Sequence, residues 1–286
     1  MATLTRTRPP RAARVGRQAG FYLLVTAFVV ASLFPFYWII ATSLKSQAEL
    51  NQGTTGLWPH HLTLSSYRFA FTQGDFLRPL LNSLIVAVST TAVTIVLASL
   101  AGYALARLGM RGRGAILALI LLAGFFPVIA MVGPLFLAWR DLGLLNSYVG
   151  LVITYLVYTL PLATWYLTNY FAQIPVELEE AAMTDGATRL GALRRITIPV
   201  ALPGVFTTAI LAFILAWNDF AFALSFLQTP DRYTAPLAIV NLGQSQYQVF
   251  YNRIDAAVVI VTIPIALLVI FAQRRIISGL TAGSFR

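Results

Sequence analysis

Cysteine is absent from this chain of 286 residues, lysine occurs once and histidine twice. Each scarcity removes a class of chemistry. Without cysteine there is no disulfide, no thiol nucleophile and no thiolate site for zinc or an iron–sulfur cluster. The single lysine, Lys45, stands in TSLKSQ, so no G-x-x-x-x-G-K-[ST] loop exists to cradle nucleotide phosphates. His60 and His61 are sequence neighbours. Adjacent side chains seldom reach one ion, so a solvated loop is expected there rather than a metal centre. With no H-E-x-x-H and no histidine paired with carboxylates inside an apolar run, a membrane-embedded enzyme is disfavoured. Charge is sparse as well, at 10% of the residues.

What is abundant is hydrocarbon. Hydrophobic residues make up 58% of the chain and mean hydropathy is +0.76, more apolar surface than one soluble core can hide. The chain therefore reads as an all-α integral membrane protein. Residues 1–20 hold Arg6, Arg8, Arg11, Arg14 and Arg17 without apolar periodicity, and read as a basic tail. Residues 21–42 form a first span, too long and too aromatic at its end for a cleaved signal. A polar external loop is expected over 43–79. Further spans follow at 82–106, 115–139, 149–171, 205–227 and 256–272, giving six. The third carries Pro127 and Gly133-Pro134 and is expected to be kinked or split. Asp255 and Pro264 blur the limits of the last.

Net charge is +10, and its placement decides its meaning. With the N-terminal tail inside, the inner segments hold the tail arginines plus Arg107, Arg111, Arg113, Arg189, Arg194, Arg195, Arg274, Arg275 and Arg286. The outer ones hold Lys45, Arg68, Arg78, Arg140, Arg232 and Arg253, so the partition is fourteen to six. Both termini are then expected in the cytoplasm. Arginines at span ends explain the charge without nucleic acid.

The long polar interruption at 175–204, PVELEEAAMTDGATRLGALRRITIPVALPG, is the organising stretch. Pro175 can open a helix whose first turn gathers Glu177, Glu179 and Glu180, and Asp185-Gly186 can close it. A second helix carries Arg194 and Arg195 and is expected to stop at Pro199. Leu178, Ala181 and Ala182 share one face, as do Ala187, Leu190 and Leu193. Such a helix pair is either an ordinary amphipathic loop or a docking element. Within the span at 205–227, Trp217, Asn218 and Asp219 either hold a sugar, by ring stacking and hydrogen bonds, or pin the helix to a neighbour. Asp219 is the only acid well inside a span, expected roughly 22 Å along it. That is little for an ion-coupled secondary sugar transporter, the alternative reading.

The pattern Glu180-Ala181-Ala182, Asp185-Gly186-Ala187, Ile196-x-Ile198-Pro199 and Pro203-Gly204 resembles the EAA loop of permease subunits in bacterial ATP-driven importers. The C-terminal run Gln273-Arg274-Arg275-x-Ile277-x-Gly279-Leu280-Thr281-Ala282-Gly283 is similar to the tail of MalG-type permeases of carbohydrate importers. The resemblance implies a type I ABC importer permease fold, with a core over 80–273 and a cytoplasmic tail at 274–286. It further implies a multi-pass subunit of the bacterial inner membrane, surrounded by lipid. Its expected partners are a non-identical MalF-like permease, a MalK-like ATPase homodimer and an extracytoplasmic sugar-binding protein. This chain would bind no cofactor itself; ATP and magnesium would belong to the ATPase. The loop residues, with Glu180 and Gly186 foremost, and the tail residues Gly279 to Gly283 would meet that ATPase. Maltose, maltodextrin or trehalose is the expected cargo.

Overall fold

Within lipid a backbone has no water to bond, so an apolar run long enough to cross must satisfy its own amides as helix. A computed structural model describes residues 11–53, 56–245 and 248–281, with side chains for 18–53, 56–245 and 248–273. Among them the backbone is helical, apart from one isolated bridge between Gln244 and Val249 and the turns between helices.

Helix α1 runs Arg11–Ser43, so the second half of the expected tail is helical. Its RAARVGRQ stretch is made largely of good helix formers, which need no apolar period to extend a helix already nucleated in the span. Between α1 and the next span lie α2 (Gln47–Asn51) and α3 (Ser65–Thr72). This segment is folded rather than freely solvated. Lys45 is 1% exposed, donates to the Gly56 carbonyl and lies 5.2 Å from the centre of the Trp38 ring. His60 and His61 remain exposed.

Helix α4 (Leu77–Arg107) crosses beside α7 (Tyr148–Ala172), and between them come α5 (Arg113–Gly124) and α6 (Val128–Asp141). The α5–α6 pair bends by 85° at Phe125 to Pro127. Pro127 cannot donate an amide there, and the split anticipated from its position is present. Helices α4 and α7 approach closely because Gly102 has no side chain; a Cβ there would lie 3.0 Å from the Thr168 amide nitrogen. Thr94 and Thr159 share a 2.8 Å hydrogen bond across the same seam.

The polar interruption forms α8 (Glu177–Thr184), α9 (Arg189–Ala192), a π-helical turn (Leu193–Thr197) and α10 (Ile198–Val200). Helix α11 (Leu202–Trp217) follows after an 83° bend, then α12 (Ala221–Phe226), a 3-10 turn (Pro230–Arg232), α13 (Ala235–Gly243) and α14 (Tyr251–Thr281). The four long apolar helices, with each bent pair taken as one span, make six. The span expected at 205–227 is interrupted: α11 ends at Trp217, and Asn218 to Phe220 separate it from α12.

Two buried clusters hold the bundle. One gathers Tyr155, Phe213, Trp217, Phe222 and Phe226; the other, at the Arg107 end, gathers Tyr103, Leu167, Phe171, Ile174 and Leu193. At the opposite end, Asn82 donates to the carbonyls of Asp231 and Tyr233, and the Ala235 amide donates to Ser83. These bonds fasten the entry of α13 to α4.

Candidate functional site: the polar segment 175–204

The first helix of the segment begins with three acids, and the structure separates their roles. Glu177 and Glu180 are exposed, whereas Glu179 is 2% exposed and turned into the protein. One carboxylate oxygen of Glu179 accepts from Arg107 Nε at 2.9 Å and from the Thr197 hydroxyl at 3.0 Å. The other accepts from the Tyr103 hydroxyl at 2.9 Å. Arg107 also donates to the Ile174 carbonyl, just ahead of α8. Removing one member of such a buried pair costs about 3–5 kcal/mol, because the other charge is left unpaired. As site residues, Glu179, Arg107, Tyr103 and Thr197 do not stand out in the sequence. The i, i+4 spacing of Tyr103 and Arg107 at the end of a span is the one available signal.

Gly186 ends α8 with φ +88°, a left-handed turn. The Gly186 amide donates to Met183 and the Ala187 amide to Ala182, both at 3.0 Å, which is a Schellman closure. Asp185 is the exposed C-cap residue before it. Thr188 then caps α9 by accepting from the Gly191 amide at 3.1 Å.

Pro199 does not stop the second helix. The Ile198 amide reaches back to the Leu193 carbonyl, five residues earlier, and the chain continues through α10 to the corner at Ala201. Proline offers no amide and its ring crowds the carbonyl four residues back, so a wider turn relieves the conflict while keeping the helix going. That turn also brings Thr197 onto Glu179.

The apolar stripe is divided in the same way. Leu193 is buried at 2%, while Leu178, at 45%, and Leu190, at 54%, stay exposed. Ala181 is exposed, and Ala182 and Ala187 are half-buried. Thr188, Leu190, Gly191, Arg194 and Arg195 line an open hollow of about 420 Å3. The segment thus offers Glu180, Leu178, Leu190 and two arginines outward, while Glu179 holds its inner side.

Trp217, Asn218 and Asp219 lie at the end of α11 and in the break behind it. The Trp217 ring is buried and stacks on Phe213, with centroids 5.5 Å apart. Asp219 accepts from the Tyr155 hydroxyl at 2.8 Å and from the Ala223 amide at 3.1 Å, joining α7 to the start of α12. Both side chains are used in packing and pinning. Asn218 alone is exposed, its amide donating to the Ile214 carbonyl. Of the expected tail, Gly279, Leu280 and Thr281 continue α14 by backbone, and Ala282 and Gly283 lie outside the described residues.

Residues 94–281 match the family described as binding-protein-dependent transport system inner membrane component. The chain belongs to that family. Among curated relatives, it is 43% identical over 93% of its length to the sulfoquinovosyl glycerol transport system permease protein SmoH of Agrobacterium fabrum, covering 93% of that protein. It is 40% identical over 94% of its length to the trehalose transport system permease protein SugB of Mycobacterium tuberculosis, covering 98%. With the trehalose/maltose permease protein MalG of Thermococcus litoralis it shares 37% identity over 92%, covering 96%. Among solved structures, a chain of a bacterial ABC transporter involved in the import of the acidic polysaccharide alginate superposes with a TM-score of 0.77 at 26% identity. The match covers 93% of this chain and 98% of that one. This permease is accordingly of the MalG type, a carbohydrate ABC permease with the type I fold.

Proposed function

We propose that this permease forms one half of a sugar pathway and is driven by a separate ATPase that docks on residues 175–204. The observation that carries the reading is the division of α8: Glu179 fastened inward to α4, Glu180 and Leu178 facing out. A helix anchored on one side and open on the other suits a partner's cleft. Glu180 supplies a charge for that contact, and Gly186 sets the turn between the helices.

The remaining assembly follows from the same reading. A second, MalF-like permease completes the pathway, a MalK-like ATPase pair binds ATP and magnesium, and a binding protein outside the cell delivers the sugar. The coupling segment and both termini face the cytoplasm, in keeping with Arg107, Arg111, Arg113, Arg189, Arg194 and Arg195 falling in segments next to one another at the α8 end of α4. The tail, Gly279 to Gly283, adds a further ATPase contact. ATP binding draws the two coupling segments together and turns the pathway outward, and hydrolysis returns it. Asn218, the exposed member of its cluster, is the residue through which this subunit touches sugar.

For cargo we assign the trehalose and maltose class, supported by the relatives from Mycobacterium tuberculosis and Thermococcus litoralis. The Agrobacterium fabrum relative favours a second reading, a glycosyl glycerol. Binding of trehalose, maltose and a glycosyl glycerol to the solute-binding protein encoded beside this chain separates the two. ATP-dependent uptake by the reconstituted complex tests the drive. Uptake in energised vesicles without any ATPase would replace the assignment with an ion-coupled carrier.

A further inference from the structure

We infer that the buried Arg107–Glu179 pair carries the movement of the coupling segment into α4 and the base of α11, with Glu179 as the positioning residue. The inference rests on the assignment of residues 175–204 as the ATPase-docking segment and adds the physical link by which that segment grips the membrane helices.

The contacts of Glu179 described above reach two elements beyond its own helix. Arg107 and Tyr103 belong to α4, Thr197 to the π-helical turn next to the corner at Ala201, and Arg107 continues to the Ile174 carbonyl ahead of α8. The Arg107 and Glu179 side chains are 11% and 3% exposed. Apolar attraction is non-directional, whereas charge-assisted hydrogen bonds out of reach of water depend on distance and angle and lose strength with small displacements. A push on α8 is therefore passed to α4 and to the start of α11 rather than absorbed by bending within the loop. Glu177 and Glu180, on the same helix turn, are exposed and have no share in this link.

The test uses the complete transporter in proteoliposomes, with its ATPase and sugar-loaded binding protein and trehalose and maltose as probes. ATP hydrolysis and uptake are measured together for E179Q, for the double variant R107M/E179M, which leaves no lone buried charge, and for the exchange R107E/E179R. In E179Q and the double methionine variant, hydrolysis is expected to continue while ATP spent per sugar rises about tenfold, and the exchange is expected to restore part of the loss. An unchanged ratio in variants that assemble overturns the inference, as does equal loss of hydrolysis and uptake in all three, which marks the pair as only structural. A wild-type complex that hydrolyses no ATP removes the functional assignment and the inference with it.

A second measurement needs no sugar. The absence of cysteine allows spin labels at Leu108→Cys, on the C-cap of α4, and Glu177→Cys, on α8, both exposed positions. In the wild-type complex their separation is expected to be the same without nucleotide and with ATP and vanadate trapped, and to broaden in E179Q. A separation that changes in the wild type shows that α8 moves independently of α4 and overturns the inference.

Discussion

Gly204 lies against the ring of Tyr170 so closely that a Cβ on the glycine would stand 2.4 Å from the ring's Cγ. The contact joins the first turn of α11 to the last turns of α7, immediately after the corner at Ala201. Gly204→Ala has to displace that ring. Overpacking of this kind costs about 1–3 kcal/mol, and a lowered midpoint of thermal unfolding in detergent is the expected result. An unchanged midpoint would mean that the ring moves aside freely.

Gly186 offers the opposite case. Nothing lies within 4 Å of a Cβ built there, yet its φ of +88° is one that side chains tolerate poorly. Gly186→Val is expected to cost about 1–2 kcal/mol locally, with Gly186→Asn much milder. In reconstituted vesicles the valine variant should hydrolyse ATP with reduced sugar uptake, and the asparagine variant should transport. Equal transport by both would remove the turn from the coupling pathway.

Asp219 ties α7 to α12 through Tyr155 and the Ala223 amide. Asp219→Ala removes both bonds, whereas Asp219→Asn keeps an acceptor. Hydrogen bonds to a charged group contribute about 1.5–3 kcal/mol each, so the alanine variant should unfold at a clearly lower temperature and the asparagine variant between it and wild type. Asn218→Ala should leave unfolding unchanged and raise the KM for sugar uptake if Asn218 touches cargo.

Under the proposed docking of an ATPase, the hollow beside Arg194 and Arg195 bears on assembly. R194E/R195E should sharply reduce recovery of the ATPase on affinity-tagged permease, with the unfolding of the permease alone little altered, since both side chains are exposed. Full recovery of the ATPase would place docking elsewhere on the segment.

Much of this arrangement is legible in the amino-acid sequence itself. The apolar runs, the break at Pro127 and the turn at Asp185-Gly186 each depend on local chemistry that a sequence displays. The role of Glu179 is not legible there. Glu177, Glu179 and Glu180 look alike as acids in the first turn of a helix, and the middle one is distinguished by Arg107, 72 residues away, together with Tyr103 and Thr197. Pro199 misleads for a related reason: a proline is expected to end a helix, and the π-helical turn that accommodates it is held by Thr197 reaching Glu179. The pinning of Asp219 likewise depends on Tyr155, on a different helix.

Under the proposed ATPase docking, the corner at Ala201 sets the direction in which force would arrive. Residues 189–200 meet α11 at 83°, close to perpendicular. Motion of the short arm along its own axis would become a sideways thrust at the foot of a helix about 24 Å long, where Tyr170 lies against Gly204. On the proposed drive, a small stroke of the docking segment would thereby sway the far end of α11, with the corner working as a crank.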